Sequence, residues 1–386
     1  MIRRMWRTVG VAVVATATVG FVPALPAAAA RSSTVFTMRD PRLTEVSGIA
    51  RGIRSPGVFY VQNDSGDSAR FFAVDAQTGR VRAEYRVPGA TNVDWEDIAV
   101  APDAAGVPSV WIGDIGDNNA QRTDVRVYRV DEPRVAMNGY DMHLQTKRPD
   151  VWRLRYPNGP VNAESLAVDP AGRGFIFTKA GSGHSICYEV PRRPDAAQTQ
   201  TLRQVGAIQM HARPSLIVPT DLQRMATGAA ISPDGTVLVV RTYTDAYLWH
   251  VKHDDIARAL RTEPRHLELP LQLQGEGIGF DRDHLVVDSE GDPSQVLEVA
   301  LPADFRAPDA TPPATGVRTS NTPSSSPDAS THPATSPGTP SASPAPSDNR
   351  ITLSLGWRLL IALGSIALGL VLLARMIARR RQRPPN

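Results

Sequence analysis

The chain has 386 residues, with 42 Lys and Arg against 39 Asp and Glu and a net charge of +3. Residues 1–30 carry +3, residues 350–386 carry +7 and residues 306–349 carry −1, which leaves −6 for residues 31–305. A mildly acidic middle excludes the clustered basic footprint that nucleic acid needs, and one cysteine excludes an internal disulfide.

In chain order, residues 1–30 begin with Arg3, Arg4 and Arg7, run apolar to Phe21 and end in four alanines. A basic start, an apolar middle and a small-residue end describe a secretory signal peptide cleaved near Ala30.

Residues 31–305 repeat one short pattern five times: Ser47-Gly-Ile-Ala, Glu96-Asp-Ile-Ala-Val, Glu164-Ser-Leu-Ala-Val, Thr227-Gly-Ala-Ala-Ile and Glu276-Gly-Ile-Gly-Phe. Their second positions, Gly48, Asp97, Ser165, Gly228 and Gly277, are spaced 49, 68, 63 and 49 residues apart. Each is followed by a turn and a β-rich run, Val58–Gln62, Val110–Ile112, Gly174–Thr178, Val237–Val240 and His284–Val287, and then by further short strands. Three or four strands per unit with almost no amphipathic helix predict an all-β β-propeller. Five repeats are counted, and the two longer intervals leave room for a sixth blade. A β-sandwich is the competing fold. The last unit offers three strands, and Val35–Met38 would supply the fourth and close the ring. Only Asp254–Leu260 reads as helical.

Residues 306–349 hold ten prolines and sixteen serines or threonines, a composition that stays extended and suits a stalk. Ser354–Ala378 is apolar except for Arg358 and Arg375 and is long enough to cross about 30 Å of hydrocarbon. The basic tail at 379–386 places the C-terminus in the cytoplasm and everything before the helix outside. The expectation is a single-pass cell-membrane protein with an extracellular ectodomain.

In a propeller blade the start of the first strand and the end of the second share one mouth of the central channel. Those positions bring together Glu96, Glu164, Glu276 and Glu290 with Lys179 and Arg241 as candidate ligand-binding residues. An interblade network of ion pairs would use the same residue types, so both readings stand. Two corners are richer in acid: Asn63-Asp64-Ser65-Gly66-Asp67 and Gly113-Asp114-Ile115-Gly116-Asp117-Asn118. Asp64, Asp67, Asp114, Asp117 and Asn118 are candidate ligands for calcium, which takes six to eight oxygens from short Asp/Asn/Gly loops. Plain turn chemistry draws on the same residues. No His-Glu-x-x-His or nucleophile elbow occurs, and Cys187 reads as a buried apolar residue. Trp95, Trp111, Trp152 and Trp249 are expected to pack between blades.

The strings Asn-Asp-Ser-Gly-Asp at 63–67, Asp-Trp-Glu-Asp-Ile-Ala at 94–99 and Gly-Asp-Ile-Gly-Asp-Asn at 113–118 resemble secreted actinobacterial, WD-repeat-like propellers over about residues 40–302. More distantly the chain is similar to the gluconolactonase/senescence-marker propellers and phytase-like esterase domains. In the former a metal-binding Glu opens a blade, and Glu96, Glu164 and Glu276 hold comparable places. That resemblance implies a divalent cation and lactone or ester hydrolysis, although the Glu-Gly-Pro signature is missing here. The reading at this point is a cell-surface propeller that binds an extracellular ligand or protein partner at an acidic mouth. A calcium-dependent hydrolase acting on a lactone, ester or phosphoester is the alternative.

Overall fold

A computed structural model describes residues 32–306. The chain divides into two units, Met1–Ala307 and Pro308–Asn386, and only the first contains described residues. The signal peptide, all but the first residue of the stalk, and the membrane helix expected from the sequence lie outside them. Among the described residues, no helix is long and apolar enough to cross a membrane.

Five antiparallel blades make the fold, each with its sequence repeat at the start of its innermost strand. The inner strands are Val46–Arg51, Trp95–Pro102, Ala163–Val168, Ala226–Ile231 and Gly275–Asp281. Each pairs with the strand that follows it: Val58–Asn63, Pro108–Asp114, Gly174–Thr178, Val237–Thr242 and His284–Ser289. Every inner strand touches the inner strands of the two neighbouring blades, so among the described residues five blades close the circle, with no sixth and no sandwich. Ser32–Met38 pairs antiparallel with Ser294–Ala300 and becomes the fourth strand of the last blade, as the N-terminal segment was expected to do.

Five apolar clusters hold the ring, one in each gap between adjacent blades. Trp95 and Tyr128 fill the gap between the first and second blades, and Trp111 packs against Trp152 between the second and third. Trp249 and the fully buried Cys187 share the next gap. The large rings sit where two sheet faces meet because burying each removes about 150–250 Å² of apolar surface from water.

Two strands leave their own blades. Met142–Gln145, in the connection before the fourth strand of the second blade, pairs parallel with the outer strand Val81–Arg86 of the first. Asp195–Thr201, in the corresponding connection of the third blade, pairs parallel with Asp150–Arg155 of the second. Both cover edges whose unpaired backbone groups would otherwise invite another chain. The predicted helix at 254–260 is a single turn, Ile256–Ala259, capped by the Asp255 side chain.

Candidate functional site: an acidic mouth on the propeller axis

The sequence repeat marks a β-bulge. In all five inner strands the register with the second strand slips at the first repeat position: at Ser47, Glu96, Glu164 and Thr227, and across Glu276-Gly277. A bulge inserts one unpaired residue and re-aims its side chain. Here Glu96, Glu164 and Glu276 gather at the mouth, Ser47 Oγ and Thr227 Oγ1 donate to the next blade at Glu96 O (2.7 Å) and Gly275 O (3.0 Å), and small residues are left beside the axis. The spaces around Gly48 and Gly277 show why: a Cβ on Gly48 would collide with the Ile98 amide and Asp97, and one on Gly277 with Gly48 and Asp288.

Asp97 is the exception in that small-residue column, and it plugs the axis. Its carboxylate is fully buried and accepts hydrogen bonds from Ile98 N at 2.8 Å, Leu166 N at 2.8 Å and Ala229 N at 3.2 Å. One side chain thereby satisfies backbone groups in three blades that the bulges disturb. Asp288 does the same for Gly277 N at 2.7 Å in the fifth blade. Burial raises the Asp288 carboxyl to about 6 although the Arg241 guanidinium opposes that rise.

Above this plug lies the mouth. Asp64, Lys179, Tyr243 and Glu290 each follow the last residue of a second strand, and Glu96, Glu164 and Glu276 come from the bulges. One oxygen from each of Asp64, Asp94 and Glu96 lies within 4.8 Å of the others. Hydrogen bonds to the backbone fix all three: Asn92 Nδ2 donates to Asp64 O at 2.9 Å, Asp94 N donates to Asp114 Oδ1 and Gly116 N to Asp94 O, both at 3.1 Å, and Ser47 Oγ donates to Glu96 O at 2.7 Å. Gly116 is required there, because a Cβ would overlap Glu96 Oε1 and crowd Asp94 Oδ2. Loss of hydration, reinforced by the repulsion of Asp94, Glu290 and Glu164, pushes the Asp64 carboxyl up to about 8. Burial likewise raises Asp94 and, far more strongly, Glu96, with neighbouring carboxylates adding to the effect on Glu96.

On the other side of the mouth, Lys179 Nζ donates to Glu164 Oε2 and to the Tyr243 hydroxyl at 2.9 Å. Burial disfavours its charge, but Glu164, Tyr243, Glu276 and Glu96 outweigh that and raise its pKa. Glu276 is 3% exposed, its Oε2 has no hydrogen-bond partner among the described residues, and burial raises its pKa well above the usual carboxyl range. Carboxylates outnumber cations here, and the donor set is all oxygen apart from Lys179. That chemistry suits a hard cation held between Asp64, Asp94 and Glu96.

The structure brings together Glu96, Glu164, Lys179, Glu276 and Glu290, but not Arg241. Arg241 sits below the mouth with its guanidinium fully buried, donating to Gly277 O at 2.7 Å, Asp288 O at 3.1 Å and Thr242 O at 3.2 Å. It stitches the fourth blade to the fifth. Tyr243, two residues later, holds the place expected of it. Alignment of Asn63-Asp64, Thr178-Lys179, Thr242-Tyr243 and Ser289-Glu290 at the second-strand ends carries that signal in the sequence.

The two acidic corners do not act as two cages. Asp64 alone among their residues joins the carboxylate cluster, and Asp94, from the preceding loop, completes it. Asp67 is paired with Arg70 at 2.9 Å, and Asp114 with Arg122 at 2.9 Å. Asp117 caps its own turn through Gln121 N and Arg122 N, and the exposed Asn118 accepts a hydrogen bond from Asn162 Nδ2 at 3.2 Å. Turn and ion-pair chemistry engages all four, although Asp114 Oδ2 stays buried without a hydrogen-bond partner among the described residues.

No protein-family model and no curated protein matches the chain. Among solved structures it is similar to the PQQ-bound form of aldose sugar dehydrogenase from Streptomyces coelicolor, at 16% identity and a TM-score of 0.40 over 70% of this chain and 99% of that one. It is also similar to the β-propeller domain of Cps50 (Swd1) from Myceliophteria thermophila, at 11% identity and a TM-score of 0.33 over 66% of this chain and 84% of that one.

Proposed function

We propose that the protein is a cell-surface recognition propeller, tethered by one C-terminal membrane helix, whose acidic mouth binds a cationic group and holds calcium between Asp64, Asp94 and Glu96. The observation that carries this reading is the convergence of three carboxylate oxygens within 4.8 Å from a hairpin, a loop and a bulge. Like charges held this close in a poorly hydrated site repel, and a cation or protons must relieve that repulsion. Calcium fits better than magnesium, which demands near-octahedral geometry and keeps much of its water. The test is thermal melting of the full chain in detergent with chelator, then with 1 mM calcium. For a dissociation constant on the order of 10⁻⁵ M, that concentration adds about 2.7 kcal/mol, a rise of roughly 5 °C for a domain of this size. An unchanged melting temperature removes calcium from the proposal.

A hydrolase using the same mouth is the second reading. It is favoured by Glu96 and Glu276, whose carboxyls burial pushes above the usual range, near Lys179 and Tyr243. Such groups would supply protons beside a carbonyl or phosphoryl oxygen polarised by the metal. Turnover of lactones, esters or phosphoesters that vanishes in Glu96→Gln or Glu164→Gln would replace binding with catalysis; no turnover of any of the three retires this reading.

A further inference from the structure

The face that carries the acidic mouth also carries an apolar rim. In an antiparallel blade the fourth strand ends on the side where the next inner strand starts, so every blade-to-blade connection lies on the mouth face. Three of these connections expose large apolar side chains: Val93 at 53%, Leu216 and Ile217, and Leu271 and Leu273 at 60% and 59%. Each connection is tied to the mouth. Val93 lies between Asn92, which bonds the Asp64 carbonyl, and Asp94 of the carboxylate cluster. The connection with Leu216 and Ile217 packs Asp221 and Met225 against Gly181, two residues after Lys179. Gln274, next to Leu273, bonds Glu290 through both backbone and side chain. Apolar groups exposed on three separate loops around one charged centre mark a docking face.

We propose that this face docks a protein partner through a basic side chain that enters the acidic mouth, while apolar residues flanking it in the partner rest on Val93, Leu216, Ile217, Leu271 and Leu273. The inference rests on the reading of the mouth as a cation-recognition site and names its ligand class. Charge complementarity selects the occupant: the carboxyl groups of Asp64, Asp94, Glu96, Glu164 and Glu276 gather against Lys179 and, beneath Glu276, Arg241, so acids outnumber bases. An anionic lipid surface meets the wrong sign of charge. The apolar rim excludes water from the pairing, so the arginine or lysine gains most when its neighbours are apolar.

The experiment uses the full chain in neutral-lipid nanodiscs with chelator present, titrated by fluorescence anisotropy with three end-capped peptides. These are Leu-Leu-Arg-Leu-Leu, the same peptide with a central Gln, and Ser-Ser-Arg-Ser-Ser. The first should bind at least about ten-fold tighter than either of the others, the worth of one well-placed contact. Glu276→Gln should erase most of the preference for Arg over Gln. The double substitution of Leu271→Ser with Leu273→Ser, both exposed and harmless to folding, should erase most of the preference for Leu flanks. Equal binding of all three peptides overturns the proposal. A preference for Arg with none for Leu overturns the docking face but leaves the cation-binding mouth standing. Rim-dependent binding to phosphatidylcholine vesicles without any Arg preference overturns it in favour of membrane contact.

Discussion

Replacing Asp97 with Asn changes almost no volume and should still weaken the whole ring. The carboxylate accepts two N–H groups at Oδ2, from the third and fourth blades, and one at Oδ1, from Ile98. The best asparagine rotamer keeps its oxygen on the pair and points its amide NH2 at the Ile98 N–H, so two donors face each other. A buried donor left without an acceptor costs about 1–3 kcal/mol, and the two remaining bonds lose the strength that the charge gave them. The sum is about 2–3 kcal/mol, or roughly 3–5 °C in melting temperature at this size. Asp97→Ala leaves all three N–H groups orphaned at about 3–9 kcal/mol, comparable with the entire stability of a typical domain, roughly 5–15 kcal/mol. Urea melts of the full chain followed by tryptophan fluorescence measure both variants. If the Asp97→Asn variant melts like wild type, the carboxylate does not join the blades and this account of the axis is wrong.

Three further outcomes are expected. Asp64 is raised in the folded protein from 3.8 to about 8, so the stability it contributes is full below pH 3.8 and is lost as pH rises through 8. In chelator, Asp64→Asn should therefore melt above wild type at pH 9 and lose most of the advantage by pH 5, and the calcium-induced gain of wild type should grow across the same interval; a wild-type gain independent of pH would contradict it. Gly116→Ala pushes a methyl group into Glu96 and Asp94 and should abolish the calcium response in calorimetric titration at a stability cost of about 1–3 kcal/mol. Arg241→Met removes the cation that faces Asp288 and Glu276 and strips three carbonyls of their donor; a loss of about 3–5 kcal/mol in denaturant melts is expected, and a neutral result would show that the guanidinium does not join the blades.

Much of the ring was legible because each blade repeats the same local problem. The run from Glu96 to Val100 and its four counterparts alternate as strands, and their spacing alone gives five equivalent inner strands. The bulge was not legible. It is a register slip between two strands, and a sequence shows only that a polar residue precedes a small one. Arg241 was misplaced for a related reason, since being two residues short of the mouth position puts its side chain beneath the mouth rather than in it. Met142–Gln145 and Asp195–Thr201 were invisible because both are largely exposed, the first alternating over four residues only and the second mostly polar with no apolar alternation to betray a strand. Asp67 and Asp117 show local chemistry overriding a motif: Arg70 and Arg122 are close enough in the chain to claim or cap them first.

The seam between Ser32–Met38 and Ser294–Ala300 has a bearing on how the protein is made. Four blades draw their four principal strands from contiguous sequence and could assemble as the polypeptide emerges, but the fifth needs both extremities of the folded region at once. The opening segment must wait, unpaired, until nearly everything after it has been synthesised, so circularisation is the final event and the vulnerable one. A tag, or a protease that removes residues 32–38, would strike that last step and leave a broken circle whose free margin, Ser294–Ala300, is open to another copy of the same chain.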